Sequence, residues 1–234
     1  LFGYEANRVY VWEVLPRAMR CETVDPYSAY WQSVTALLRR LFIFEPELNP
    51  QPLVHWPAAY AYLPPLYQAL LFVPVLWLIS PSRDNAAQER LEWGSYVVVL
   101  LVLSPNPASY HYCALILAVV LIAGNLLDRG LNLHAGILAF LYGVASISHY
   151  RWMVQNPSGW KIFLGFPRLY AVLVLAFFIL WVLAKSPSQT LRARLRSREA
   201  MAFTCLFLGI ILVGVWSNLR HLEGQLTNYA ARAV

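Results

Sequence analysis

Residues 93–124 read WGSYVVVLLVLSPNPASYHYCALILAVVLIAG, 32 residues without a formal charge. A bilayer core takes roughly 20 helical residues to cross, so this run is too long for one ordinary span. It is broken at its centre by Ser104-Pro105-Asn106-Pro107. Each proline lacks an N–H and pushes the residue before it out of the helical region, so two prolines two apart stop a helix. The stretch therefore predicts two membrane helices joined by a short turn, one ending near Leu103 and the next starting near Tyr110. The first needs residues from about Glu89 onward to reach full length.

Outward from this pair, four further uncharged or nearly uncharged runs occur. Residues 57–80 contain 18 apolar residues of 24 and no charge, with Pro64, Pro65 and Pro74 expected to kink the helix. Residues 131–150, 162–184 and 200–219 complete the set, with Arg168 near one end of its run, where it can snorkel. Six spans follow. Over the 234 residues, 59% are apolar and only 13% charged, whereas a soluble domain carries about 25% charged residues. That composition excludes a disordered tail, a disulfide scaffold and most soluble enzymes. The fold class is all-α, a polytopic integral membrane helical bundle. The three cysteines, Cys21, Cys113 and Cys205, form no CxxC or metal-ligand spacing. The net charge of +6 is read as basic residues flanking spans, and no nucleic-acid partner is expected because no basic stripe with interleaved aromatics occurs.

Residues 185–199 hold five basic residues and one acid, the densest basic loop, and read as cytoplasmic. Alternation then places residues 81–92 and 125–130 inside. The segment before residue 57, the 104–110 turn, residues 151–161 and the C-terminal tail then face outward. Three regions result: an outward segment, 1–56; a transmembrane bundle, 57–220; and a polar tail, 221–234. Within the first, residues 32–44 place Val34, Leu37, Leu38, Leu41 and Phe42 at helical spacing, an amphipathic helix too short to span. With Arg39 and Arg40 at its edge, it is expected to lie in the outer headgroup layer. The chain opens on Leu1 and a polar stretch without a signal peptide, which points to an N-terminally truncated piece of a longer protein.

On this topology the unusual polar residues gather on the outer side. His111 sits between Tyr110 and Tyr112, just past the broken turn, where an ionisable group is costly unless it meets a partner or a polar cavity. An interfacial histidine bonded to a carbonyl freed by the turn is the plainer alternative. His149 and Arg151 end the 131–150 run, where anchoring is the usual role of such residues. Arg39 and Arg40 are able to hold a lipid phosphate by paired hydrogen bonds or to anchor in headgroups. Asp25-Pro26-Tyr27 reads as a turn opener rather than a general base. No Gly-rich phosphate loop, HExxH or GxSxG motif is present.

Three stretches together resemble the C-terminal half of glycosyltransferase family 87. The first is 9–42, with Glu13-Val14-Leu15-Pro16, then Trp31-Gln32-Ser33-Val34, then Ala36-Leu37-Leu38-Arg39-Arg40-Leu41. The family often shows an EVLP-like segment, then NQS, then a leucine-rich turn with Arg; here Trp31 stands where Asn is usual. The second is LLVLSPNPASYHY at 100–112, similar to the family's LLSPxSWxHH, with Ser104, Pro105 and His111 matching and Tyr112 in place of the second His. The third is the series of apolar spans that follows. The resemblance implies a GT-C-like fold in the bacterial plasma (inner) membrane. It implies transfer of a sugar, mannose by preference, from a polyprenyl-phosphate sugar donor to a lipid or glycan acceptor, among membrane lipids. Outward placement and the resemblance together give the candidate substrate-binding set His111, Tyr110, Tyr112, Gln32, Ser33, Arg39 and Arg40, with His149 and Arg151 added by placement alone. The catalytic carboxylate is expected upstream of Leu1. No cofactor or metal is expected, because the leaving phosphate carries its own charge.

Two other classes fit the hydropathy. A transporter or flippase-like protein would place broken or ionisable segments near the bilayer midplane, whereas the break here falls at a loop. An O-antigen ligase or polymerase would carry large outer loops, and the outer loops between spans here are short.

Overall fold

The computed structural model describes residues 3–15, 17, 27–28, 31–78, 86–105, 107, 109–147 and 158–185, with scattered positions between 201 and 220. Among them the only β pairing is an isolated bridge between Glu45 and Asn49, and the fold is all-helical. Helix α1 is Tyr4–Val9, continued by a π-helical turn at Tyr10–Val14; none of its residues is buried. Then come α2, Val34–Phe42; α3, Pro57–Leu78; and α4, Ala86–Leu103. A 3-10 turn at Ser109–Cys113 leads into α5, Ala114–Asp128, followed by α6, Asn132–Ser146. A second 3-10 helix, Gly159–Gly165, precedes α7, Pro167–Ala184.

Breaking the 93–124 run at its prolines gives α4 and α5 their ends. The Val102 carbonyl, among the last of α4 and so without a partner inside the helix, accepts a 2.7 Å hydrogen bond from the Tyr67 hydroxyl on α3. Helix α3 runs through Pro64, Pro65 and Pro74. At the far end of α5, Gly130 adopts φ 72° and closes a tight turn, with Gly130 N–H to Leu127 O at 2.9 Å and Leu131 N–H to Leu126 O at 2.8 Å. A left-handed residue just past a helix is the position glycine fills without steric cost.

The core is aliphatic. Leu71 and Val75 of α3, Val98 and Val99 of α4, Leu115, Ala118 and Ile122 of α5, Leu138 of α6 and Leu175 and Ile179 of α7 form one buried cluster. The outer faces are apolar as well: Leu117 and Val120 on α5, Phe140 on α6 and Phe177 on α7 are exposed. A helix apolar all round belongs in lipid or in a large protein core. Three helical stretches, Pro57–Leu78, Tyr110–Asp128 and Pro167–Ala184, are long and apolar enough to cross a membrane. Of the other expected spans, α4 carries Glu89, Arg90 and Glu92, and α6, at 15 residues, is about 22 Å long by the helical rise. The 200–219 run is helical wherever it is described, and Thr204 accepts a 3.1 Å hydrogen bond from the Trp77 indole near the end of α3.

Candidate functional site

Alternating helices bring α2, the end of α4, the start of α5, the end of α6 and the start of α7 to one end of the bundle. There α2 and the Gly159–Gly165 helix share a small core of Ala36, Leu37, Leu41, Ile162, Phe166 and Leu169. Ser33 starts α2 as its N-cap, its hydroxyl accepting from the Ala36 amide at 3.0 Å. The same hydroxyl donates to the Pro105 carbonyl at 2.5 Å. One side chain thus starts a helix and ties it to the broken turn. Next to it, buried Gln32 donates through Nε2 to the Gly165 carbonyl at 3.0 Å. The Tyr112 hydroxyl, also buried, donates to the Gln32 carbonyl at 3.2 Å. The Arg168 guanidinium lies 4.9 Å from the Tyr112 ring centroid, a cation–π arrangement, and donates to the Ile147 carbonyl at 3.4 Å. Arg168 is only 5% exposed. Gln32, Ser33, Tyr112 and Arg168, from three remote stretches of sequence, therefore form one polar hub.

His111 stands on the rim of this hub rather than inside it. Its side chain is exposed, with its ring 4.3 Å from that of Tyr110, which is exposed too. The five-residue 3-10 turn puts consecutive side chains on different sides, so Tyr112 goes inward and His111 outward. His149 and Arg151 lie outside the described residues. So do Pro16 of the Glu13–Pro16 motif and Asp25; Glu13, Val14 and Leu15 are exposed on the N-terminal helical segment.

The structure gives both arginines partners within the protein. Arg39 and Arg40 are 8% and 6% exposed and are buried inside the protein. Arg39 pairs with the Glu45 carboxylate at 2.6 Å, and Arg40 donates to the Tyr27 carbonyl. Both guanidinium groups lie over the Tyr27 ring, at 5.7 and 5.5 Å. The physical reason is the chain reversal after α2. Asn49 donates to the carbonyls of Arg40 and Ile43 at 3.0 and 2.6 Å, and so folds the 43–49 turn back onto the helix and brings Glu45 to Arg39. Burial pushes the Tyr27 phenol well above its usual range. Burial works against the Arg39 charge, but the field of Tyr60, Glu45 and Tyr27 and the hydrogen bond to Glu45 outweigh it and hold its pKa above the ordinary value.

Reading the sequence missed Arg168, taken as a snorkelling residue, and Glu45 and Asn49, which carried no motif. The available signal for Arg168 was its place: a charge inside an apolar run, one residue past the proline that starts a helix. Among the described residues no three His, Cys, Asp or Glu side chains come close enough to hold a metal ion. At the opposite end, Arg90 pairs with Asp128 at 3.1 Å and buried Gln88 donates to Glu92 at 2.8 Å. These are contacts between α4 and α5 and within α4. Set beside known proteins, the chain matches no family model, no curated protein and no solved structure.

Proposed function

We propose that this chain supplies six spans of a membrane glycosyltransferase of the bacterial plasma membrane, with the hub end facing outward. It moves a sugar, mannose by preference, from a polyprenyl phosphate to an acceptor hydroxyl. The observation that supports this reading best is the union of the two stretches that carry the resemblance. Gln32-Ser33 and the 104–112 turn, over 70 residues apart, are bonded to one another through Ser33–Pro105 and Tyr112–Gln32.

The reaction breaks the bond from the sugar's anomeric carbon to the phosphate oxygen and forms one to the acceptor oxygen. The acceptor proton goes to a base, a role the resemblance gives to a carboxylate that no residue of this chain matches. Negative charge grows on the departing phosphate, and a donor aimed at it lowers the barrier. His111 is the candidate donor: it is exposed at the rim, adjacent in sequence to Tyr112, which anchors the turn to the hub. Arg168 adds positive potential from below the Tyr112 ring. Arg39 and Arg40, already paired, act by holding α2 and the 43–49 turn in place.

The test is transfer of radiolabelled mannose from a polyprenyl phosphate in membranes that contain the protein in its native full length. Changing His111→Ala should lower turnover by ~10²–10³-fold, as loss of one charge-stabilising donor does, with insertion unchanged. Wild-type turnover in that variant overturns the role of His111. Movement of the intact sugar lipid between leaflets without transfer overturns the enzyme reading in favour of a flippase.

A further inference from the structure

Two segments at the hub end present large apolar side chains away from the protein. Leu53, Val54 and Trp56 precede α3, and Trp160, Phe163 and Leu164 lie on the Gly159–Gly165 helix; all six are exposed, with Trp56 at 58% and Trp160 at 65%. The segments are joined, because the Gly159 amide donates to the Gln51 carbonyl at 3.3 Å. They are also anchored from behind. Val54 and Trp56 donate backbone hydrogen bonds to the carbonyls of Leu41 and Phe42 at 3.1 and 3.0 Å. Ile162 of the 3-10 helix is buried against α2. Left in water, so many large apolar side chains would form a sizeable sticky patch.

Their place in the chain fixes the depth at which they sit. Trp56 directly precedes Pro57, the first residue of α3, and Leu164 lies three residues before Pro167, the first of α7. Both helices are of membrane-crossing length. Alpha3, with 22 residues, is about 33 Å long, close to the thickness of a bilayer's hydrocarbon core, so the residue before it stands at the boundary of that core. Tryptophan is enriched at this boundary because its ring is apolar and its N–H polar. Lys161, exposed between Trp160 and Phe163, has a stem long enough to carry its charge out to the headgroups.

We propose that residues 53–56 and the Gly159–Gly165 helix form a single foot that lies in the headgroup–acyl boundary of the leaflet at the hub end. The occupant of this apolar surface is lipid. The foot, and not α2, makes the interfacial contact, and α2 with its buried arginines rides behind it. This rests on α3 and α7 crossing the membrane and is independent of the sugar-transfer reading. With only Lys161 charged on it, the foot binds by apolar burial and needs no anionic lipid.

The experiment uses the full chain with Cys21, Cys113 and Cys205 changed to Ser. Nitroxide labels are placed singly through Trp160→Cys, Leu164→Cys and, as a mid-span reference, Val120→Cys. The labelled proteins are reconstituted in phosphatidylcholine vesicles with and without phosphatidylglycerol. Collision rates with oxygen and with a water-soluble nickel chelate should place the labels at 160 and 164 about 5–10 Å into the headgroup–acyl boundary in both lipids, with 120 deeper. Labels at 160 and 164 that read as bulk water while 120 reads as lipid overturn the foot and leave the membrane fold standing. Shielding of 160 and 164 from both reagents means a protein partner or second copy covers them, and also overturns it. Water at 120 as well removes the membrane frame and the foot with it. As a measurement that keeps the native cysteines, Trp160→Phe and Trp56→Phe should each lose part of the fluorescence quenched by lipids brominated near the headgroup; an unchanged quenched fraction overturns the proposal.

Discussion

Arg39 shows how a residue's chemistry is settled by its nearest neighbour. An arginine on a short amphipathic helix is equally suited to a lipid phosphate or a carboxylate, since its planar fork fits both. Here the carboxylate is Glu45, six residues away, delivered by a turn that Asn49 holds closed. The pair is largely withdrawn from solvent, with side-chain exposures of 10% and 20%, so removing one partner leaves a charge stranded. Glu45→Ala should therefore cost about 3 kcal/mol, read as a lower thermal midpoint in detergent. Combining it with Arg39→Leu should recover much of that loss, because no buried charge is left unpaired. A headgroup-binding Arg39 would behave differently: Glu45→Ala would leave stability unchanged, and lipid phosphate would raise the midpoint of both proteins.

At the level of elements, the decisive contact is between α4 and α5, the two halves of the broken run. Gly94 of α4 faces Ile122 and Ala118 of α5. A β-carbon at Gly94 would stand 2.6 Å from Ile122 Cγ1 and 3.1 Å from the Ala118 carbonyl oxygen. Small residues at such crossings let helix backbones approach closely, which is how helices associate where water supplies no hydrophobic drive. Replacing Gly94 with Ala should destabilise the bundle by about 1–3 kcal/mol, the usual cost of overpacking. With Ile122→Ala added, the loss should be smaller than the sum of the two single losses, since the clashing Cγ1 and Cδ1 are gone and only the Ala118 carbonyl contact remains. Losses that simply add would show that the two residues do not meet. Elsewhere Gly124, Gly136 and Gly143 have no atom nearer than 4.0 Å to an added β-carbon, so the same change there should be mild.

For the whole molecule, the two ends of the bundle differ in kind. One carries the hub, the buried arginines and the exposed Trp56 and Trp160. The other carries the Gly130 turn and the Arg90–Asp128 pair, and the basic 185–199 sequence follows α7 there. Positive charge is retained on the cytoplasmic side of membrane proteins, and the proposed outward orientation of the hub rests on that rule. Single cysteines at Ser158 and Ser188 should therefore react with opposite sidedness in intact cells. Ser158→Cys should be modified by a membrane-impermeant maleimide, and Ser188→Cys only after permeabilisation. Modification of Ser188→Cys in intact cells would turn the molecule over and end the outward-site reading.

The helical class and the break at 104–107 were legible in the sequence for a local reason. Uncharged length and paired prolines act on their own segment whatever the rest of the chain does. The grouping of 32–33 with 104–112 followed from alternation of spans. Inward or outward direction of side chains within that group did not, because it is set by contacts between residues far apart in sequence. A 3-10 turn sent Tyr112 into the hub and left His111 on the rim. The Glu45 carboxylate drew Arg39 inward, and Arg168, legible only as a charge in an apolar run, gained its place over Tyr112 when α7 packed against α4 and α6. Periodicity fixes which face of a helix is apolar; only the tertiary structure decides what stands opposite a polar side chain, and burial then makes that partner the cheapest one available.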